Sequence, residues 1–253
     1  MSDRSDPSPA TSASSSPRAL IPSAGEPLPT GEEKTRSVQA MFDVIAPRYD
    51  MVNRIMTFRM DVGWRRRTVS ALGLAPGSVV VDLACGTGDL AADLADRGLV
   101  PVGADLSFGM LDAAPRPFPR VQADGSALPL PGGSVDGVTC GFALRNFTDL
   151  QATFAELARV VRPGGRIALL EVATPPNPVL RLGHGIYFGQ VVPRIGAALS
   201  DGDAYRYLPR SVAYLPEPEQ MLTMLSDLGF THVRRTLLSV GIAQLISATR
   251  ADA

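Results

Sequence analysis

The sequence predicts an α/β protein: a doubly wound, mostly parallel seven-stranded sheet, Rossmann-like, with an antiparallel pair at its C-terminal edge. Three observations carry this. From Ser78 to Val172 short apolar runs alternate with helical stretches, a rhythm that lays parallel strands under covering helices. The first run enters a glycine turn, Ala84–Asp89, at the mouth of a helix. The last two runs, 231–239 and 241–249, are joined so tightly that they pair antiparallel.

The elements follow in order. Residues 1–33 are rich in Ser, Pro and Ala and lack the apolar surface to offset ordering entropy, so a disordered tail is expected, with the folded domain over 34–253. Val38, Met41, Phe42 and Ile45 recur at helical spacing. Pro47 interrupts them, and a second helix is predicted from about Met51 to Leu72, so that N-terminal helices fill 36–72. Strands are predicted at 78–83, 99–104, 120–123, 135–141 and 166–172, the last after the turn Arg162-Pro163-Gly164-Gly165. Helices are predicted at 89–97, 107–113, 150–161 and 217–228. The stretch 174–216 is rich in Pro, Gly and Tyr and too long for an ordinary connection; it reads as a substrate-side insertion.

Composition narrows the function. Hydrophobic residues make up 45% of the chain, enough for a large core, and the net charge of -1 gives no reason to expect nucleic acid as a partner. Lys34 is the only lysine, which excludes a Schiff-base lysine or a Walker-type phosphate loop in the folded region. Cys85 and Cys140 fit a reducing cytoplasm, and neither has a neighbour at metal-ligand spacing, so no metal site is expected. No run approaches the ~20 apolar residues of a membrane span, and no basic-then-apolar leader pattern opens the chain.

Chemistry concentrates at the carboxyl ends of the strands. Gly86, Thr87 and Gly88 let the backbone approach a ligand and turn into a helix N-terminus. Asp82 lies inside the first strand, four residues before Gly86, within reach of an ammonium group. Asp105 ends the second strand, placed to accept both hydroxyls of a ribose. Asp124 follows the third, beside Gly125, where it suits an adenine amino group. The stretch Gly86–Ala91 also fits a dinucleotide fingerprint, or a bare strand–helix turn. Asp82, an acid (Asp89) at the helix N-terminus and the missing second mononucleotide half favour S-adenosyl-L-methionine.

From about Val38 onward the sequence resembles the menaquinone/ubiquinone biosynthesis C-methyltransferases. The resemblance rests on Phe42–Asn53, the loop Asp82–Asp89, Phe142-Ala143-Leu144-Arg145-Asn146, Arg162–Gly165 with Leu170-Glu171, Val192–Gly196 and Tyr205–Ser211. Gly141 stands where the family usually has a serine lining the cofactor site, and His184-Gly185 where it often has Tyr-Asp. The resemblance implies a class I methyltransferase that C-methylates a prenylated quinol, most simply demethylmenaquinol to menaquinol. It adds Tyr49 and Gly141 to the cofactor residues and implies Arg145, Asn146 and Tyr205 as catalytic. A phenolic proton has a pKa near ~10, so the site must stabilise a phenolate or supply a base. Arginine is no base at neutral pH, so Arg145 is assigned to the developing charge and Asn146 to orienting the hydroxyl or a water. Tyr205 or Tyr207 would position the ring, and a water held by Arg145 and Asn146 is one candidate base. His184 reads as a loop or surface histidine, and Arg145 retains the alternative of a structural ion pair. Another aromatic acceptor, or a non-catalytic cofactor-binding scaffold, remains an alternative function. The apolar stretch 179–199 would line a tail groove, rest peripherally on the inner face of the membrane, or pack as a lid; the oligomeric state, a homodimer included, stays open.

Overall fold

The computed structural model describes residues 20–22 and 26–252. The strands β1 (Val79–Leu83), β2 (Val100–Asp105), β3 (Arg120–Gln122), β4 (Val135–Gly141) and β5 (Val161–Val172) pair parallel. β7 (Ala243–Arg250) runs antiparallel to both β5 and β6 (Phe230–Leu238), and the sheet order is β3-β2-β1-β4-β5-β7-β6. β1, Val-Val-Val-Asp-Leu, is apolar but for Asp82, as a strand covered on both faces must be. One face packs on α6 (Leu150–Val160) and α10 (Pro218–Asp227) through Phe154, Leu157, Met221 and Leu225. The other packs on α3 (Met60–Leu72) and α4 (Asp89–Ala95) through Trp64, Leu72, Leu90 and Leu94. A short α5 (Phe108–Asp112) follows β2.

Four features depart from the sequence reading. The expected helix from Met51 to Leu72 is two, α2 (Tyr49–Met56) and α3, parted where Phe58 and Arg59 adopt φ of 51° and 61°. Thr57 sits at the break: its single hydroxyl proton is shared between Asn53 O at 2.9 Å and Asp61 Oδ1 at 2.6 Å, linking the end of one helix to the start of the next. β5 begins at Val161, so the predicted turn at 162–165 lies within the strand as an irregular stretch. The insertion is helical, comprising α7 (Pro178–Ile186), a π-helical segment (Tyr187–Val191), α8 (Val192–Leu199) and α9 (Gly202–Ser211). Asn177 caps α7 by accepting from Val179 N, and a π segment is a distortion that recurs at functional sites.

The fourth departure concerns the tail. Residues 1–19 and 23–25 of the expected disordered segment lie outside the described residues. Its remainder is docked: α1 starts at Gly31, Ile21 is buried in a third cluster with Met41, Ile45 and Tyr207, and Leu28 packs against that cluster. Arg210 donates to Glu26 O and Tyr214 to Pro29 O. Lys34 Nζ donates to Phe147 O at 2.7 Å and lies over the Tyr214 ring; burial lowers its pKa to about 8. Two apolar residues in a Ser/Pro-rich stretch show no periodicity, yet both join the cluster built on α1 and α9. Replacing both Ile21 and Leu28 by Ser should therefore destabilise the fold by about 2–4 kcal/mol, lowering Tm by about 2–4 °C per kcal/mol in thermal denaturation. An unchanged Tm would show that this segment only rests on the domain.

Candidate active site

The chain leaves β1 for β2 and β3 on one side and returns to β4 on the other, which opens a crevice at the carboxyl ends of β1 and β4. A cavity of about 370 Å³ lies there, lined by Tyr49, Asp82, Gly86, Thr87, Asp105, Asp124, Gly125, Gly141 and Asn146 among others. Asp82 is 1% exposed. Thr139 donates to its Oδ1 at 3.0 Å, while Oδ2 has no partner among the described residues, and burial pushes its pKa up to about 7. Asp82 lines the cavity, and a buried carboxylate short of donors suits a cationic ligand group. Gly86 has φ of 56° and donates its N–H to Asp105 Oδ2 at 2.8 Å, while Ser107 N donates to Oδ1 at 2.8 Å. The Asp105 carboxylate is thus fixed at the strand end. Thr87 Oγ1 donates to Asp50 Oδ1 at 2.6 Å, drawing α2 over the glycine turn. Asp89 does not act as the sequence suggests: Arg54 at 3.0 Å and Arg65 at 3.2 Å already neutralise it.

A second cavity, also about 370 Å³, adjoins the first and shares Tyr49, Asn53 and Phe142 with it. The rest of its lining is largely apolar, including Trp64, Val172, Val179, Phe188 and Ile242. Phe142, just past β4, holds a left-handed φ of 59°. For a bulky residue such a conformation persists only when neighbours over-determine it. Arg145 does so: its Nη1 donates to Phe142 O at 2.8 Å and pairs with Glu171 Oε1, and its Nε donates to Ser211 Oγ at 3.1 Å. Both members of the Arg145–Glu171 pair are buried.

The predicted site residues divide accordingly. Tyr49 lines both cavities, and burial pushes its phenol up to about 12. Gly88 lines neither: with φ of 86° it turns the chain into α4, and the Phe118 ring occupies the place a side chain would take. Tyr205 also lines neither; it is fully buried, with its ring against Gly196. Arg145 lines the apolar cavity, but with its charge committed to Glu171, so the ion-pair alternative describes the geometry. Asn146 lines the other cavity, and neither atom of its buried amide has a partner. His184, read as a surface residue, lines the apolar cavity. Asp50, Asn53 and Glu171 went unassigned as site residues. Glu171 carries the same signal as Asp105, an acid at the carboxyl end of an apolar strand; Asp50 and Asn53 depend on how α2 crosses the turn. The orphaned Asp82 Oδ2, the open glycine turn and the fixed Asp105 fit S-adenosyl-L-methionine.

The model of the ubiE/COQ5 methyltransferase family matches residues 30–250. The chain is 44% identical over 216 residues to the demethylmenaquinone methyltransferase of Thermus thermophilus, covering 81% of this chain and 97% of that one. It is 41% identical over 225 residues to the ubiquinone/menaquinone biosynthesis C-methyltransferase UbiE of Syntrophotalea carbinolica, covering 85% and 94%. Among solved structures, the Haloferax volcanii complex of the Trm112 methyltransferase activator with a methyltransferase aligns with a TM-score of 0.61 at 17% identity, covering 83% of this chain and 98% of that one. The phosphoethanolamine N-methyltransferase 2 of Haemonchus contortus, solved with S-adenosyl-L-methionine, aligns with a TM-score of 0.54 at 14% identity, covering 71% and 50%; both share the fold. The chain belongs to the ubiE/COQ5 methyltransferase family and is an S-adenosyl-L-methionine-dependent methyltransferase.

Proposed function

We propose that the protein C-methylates a prenylated quinol, converting demethylmenaquinol to menaquinol. The observation that carries this reading is the shared wall of Tyr49, Asn53 and Phe142 between a polar cavity rich in carboxylates and an apolar one. Bound in the polar chamber, S-adenosyl-L-methionine supplies an electrophilic methyl group. Asp82 would hold its ammonium, Asp105 its ribose hydroxyls, and Asp124 with Gly125 its adenine, while Gly86 and Thr87 present backbone to it. Gly141 leaves room at the β4 end, since a Cβ there would meet only Leu90 at 3.7 Å. Asn146 would orient a polar group of cofactor or acceptor with its unpartnered amide. The quinol ring and the start of its tail would occupy the apolar chamber. Arg145 would place a cation, tempered by Glu171, near the ring oxygen. The demethylmenaquinone methyltransferase names of the relatives support the naphthoquinol over other rings.

We further propose that the protein meets its substrate at a bilayer surface. Among the described residues no helix is long and apolar enough to cross a membrane. Phe58, Val179 and Val240 line the apolar chamber yet are 71%, 78% and 65% exposed, and Leu182 on α7 is 68% exposed. Such a rim would rest among acyl chains and pass the quinol inward.

Three outcomes test these readings. Asp82 has its pKa raised, so it ionises only near pH 7 in the free protein. Cofactor affinity should therefore rise with pH through about 7, and Asp82→Asn should weaken binding and abolish the rise. By the same sign the free protein loses stability as pH climbs from the ordinary carboxylate range toward 7, a loss that Asp82→Asn removes. Calorimetry between about pH 6 and 8 measures the first effect, and a flat profile in the unmodified protein would take the ammonium away from Asp82. Arg145→Ala strands a buried carboxylate and should cost about 3–5 kcal/mol, part of which Glu171→Gln restores in the double variant. Full stability with lost turnover would instead assign the guanidinium to the acceptor. Finally, Phe58→Ser with Val179→Ser should lower co-sedimentation with anionic vesicles by about tenfold or more. Unchanged sedimentation would remove this rim from the membrane contact.

A further inference from the structure

Charge is distributed around the apolar chamber in a way that the chain's net charge of -1 conceals. The chamber's lining comes largely from three stretches, residues 51–60, 172–200 and 228–251. None of the three contains an Asp or a Glu, and with histidine neutral their formal charge comes from arginine alone. Two of these arginines stand at the rim. Arg59 is exposed and follows Phe58, which lines the chamber. Arg181 is exposed on α7 and donates to Pro175 O and Pro176 O, each at 3.1 Å, and Pro175 also lines the chamber. The Phe58 and Tyr187 rings lie 5.8 Å apart, centroid to centroid, which brings the end of α2 against the segment after α7. Neither Arg59 nor Arg181 meets a carboxylate among the described residues.

The surface between them is apolar and uncovered. No residue of α7 is buried, and Val179, Leu182 and Ile186 recur along it at helical spacing, all exposed. Phe58 and Val240 hold left-handed φ of 51° and 54°, a costly conformation for a bulky or β-branched residue, and strain of this kind clusters at functional sites. A second copy of the chain fits this surface poorly. A two-fold interface sets a surface against itself, so arginines without acids would face arginines. An anionic bilayer fits on both counts: the apolar side chains enter the acyl region, and each guanidinium presents a planar fork of donors to a phosphate.

We propose that Arg59 and Arg181 bind the anionic headgroups of a phospholipid bilayer, seating the mouth of the apolar chamber on negatively charged membrane. This rests on the bilayer reading above and names the lipid chemistry that the rim selects. Headgroup charge then sets how often the chamber meets a prenylated quinol, because the apolar rim engages only where the arginines hold it down.

The test is co-sedimentation of the full chain with vesicles. Partition should be at least about tenfold stronger onto vesicles containing about one third phosphatidylglycerol than onto phosphatidylcholine alone. The difference should collapse at about 1 M salt, where the screening length falls to about 3 Å. Arg59→Gln with Arg181→Gln should lower binding to the anionic vesicles by about 10–30-fold and leave binding to the neutral ones unchanged. Arg59→Glu alone breaks no hydrogen bond or ion pair among the described residues and should lower it by a similar factor, which covers the case in which the Arg181 change disturbs α7. Arg97→Gln with Arg116→Gln removes the same charge from side chains that line neither chamber, and should change binding by less than about threefold. Equal partition onto both kinds of vesicle, unmoved by salt or by the rim variants, would overturn the headgroup proposal and leave the bilayer contact standing. No binding to either kind would overturn both. An equal loss in the Arg97 and Arg116 control would assign the effect to net charge and overturn the site. A dimer in sedimentation equilibrium that Arg59→Glu dissociates would give this face to a second copy and overturn it as well.

Discussion

The buried pair of Arg145 and Glu171 fixes the geometry on which both chambers depend. It joins the ends of β4 and β5, and its remaining donors reach Phe142 O and Ser211 Oγ. A strained turn, two strand ends and the last helix of the insertion are therefore held by one guanidinium. Desolvating two charges is costly, and a pair of this kind contributes less to net stability than to arrangement. What it arranges is the left-handed Phe142, which stands in the wall between the chambers.

The chambers differ as their contents require. The polar one gathers carboxylates that burial leaves short of cations: Asp82, Asp105 and Asp50 all have raised pKa values. A ligand bearing positive charge restores what folding removed. Among the described residues the apolar one carries no carboxylate in its lining, and its one arginine is already paired with Glu171, so an apolar ligand would enter it at little cost in desolvated charge. Tyr49 belongs to both and stays protonated, separating a region that favours cations from one that favours none.

Legibility in the sequence followed the range of the interactions. The parallel sheet, the glycine turn and Asp82, Asp105 and Asp124 could be read because each is set by its own strand and the turn after it. The break at Phe58–Arg59 could not, since it depends on a threonine linking two helices rather than on glycine or proline. Tyr205 illustrates the same limit. A tyrosine cluster looks alike whether it faces a ligand or the core, and only the packing of α8 on α9 turned this one inward. His184, read as a loop or surface histidine, does lie on an exposed helix, yet it also lines a chamber made by α2, α3 and the strand ends, far away along the chain.

The sheet order decides what holds its C-terminal edge. β7 follows β6 in sequence but lies inside it in space, between β5 and β6. β6 reaches the sheet through β7 alone, so the two form one antiparallel hairpin whose inner strand docks on β5. Fraying of β7 would therefore release β6 with it and bare the edge of β5, a template for the wrong partner.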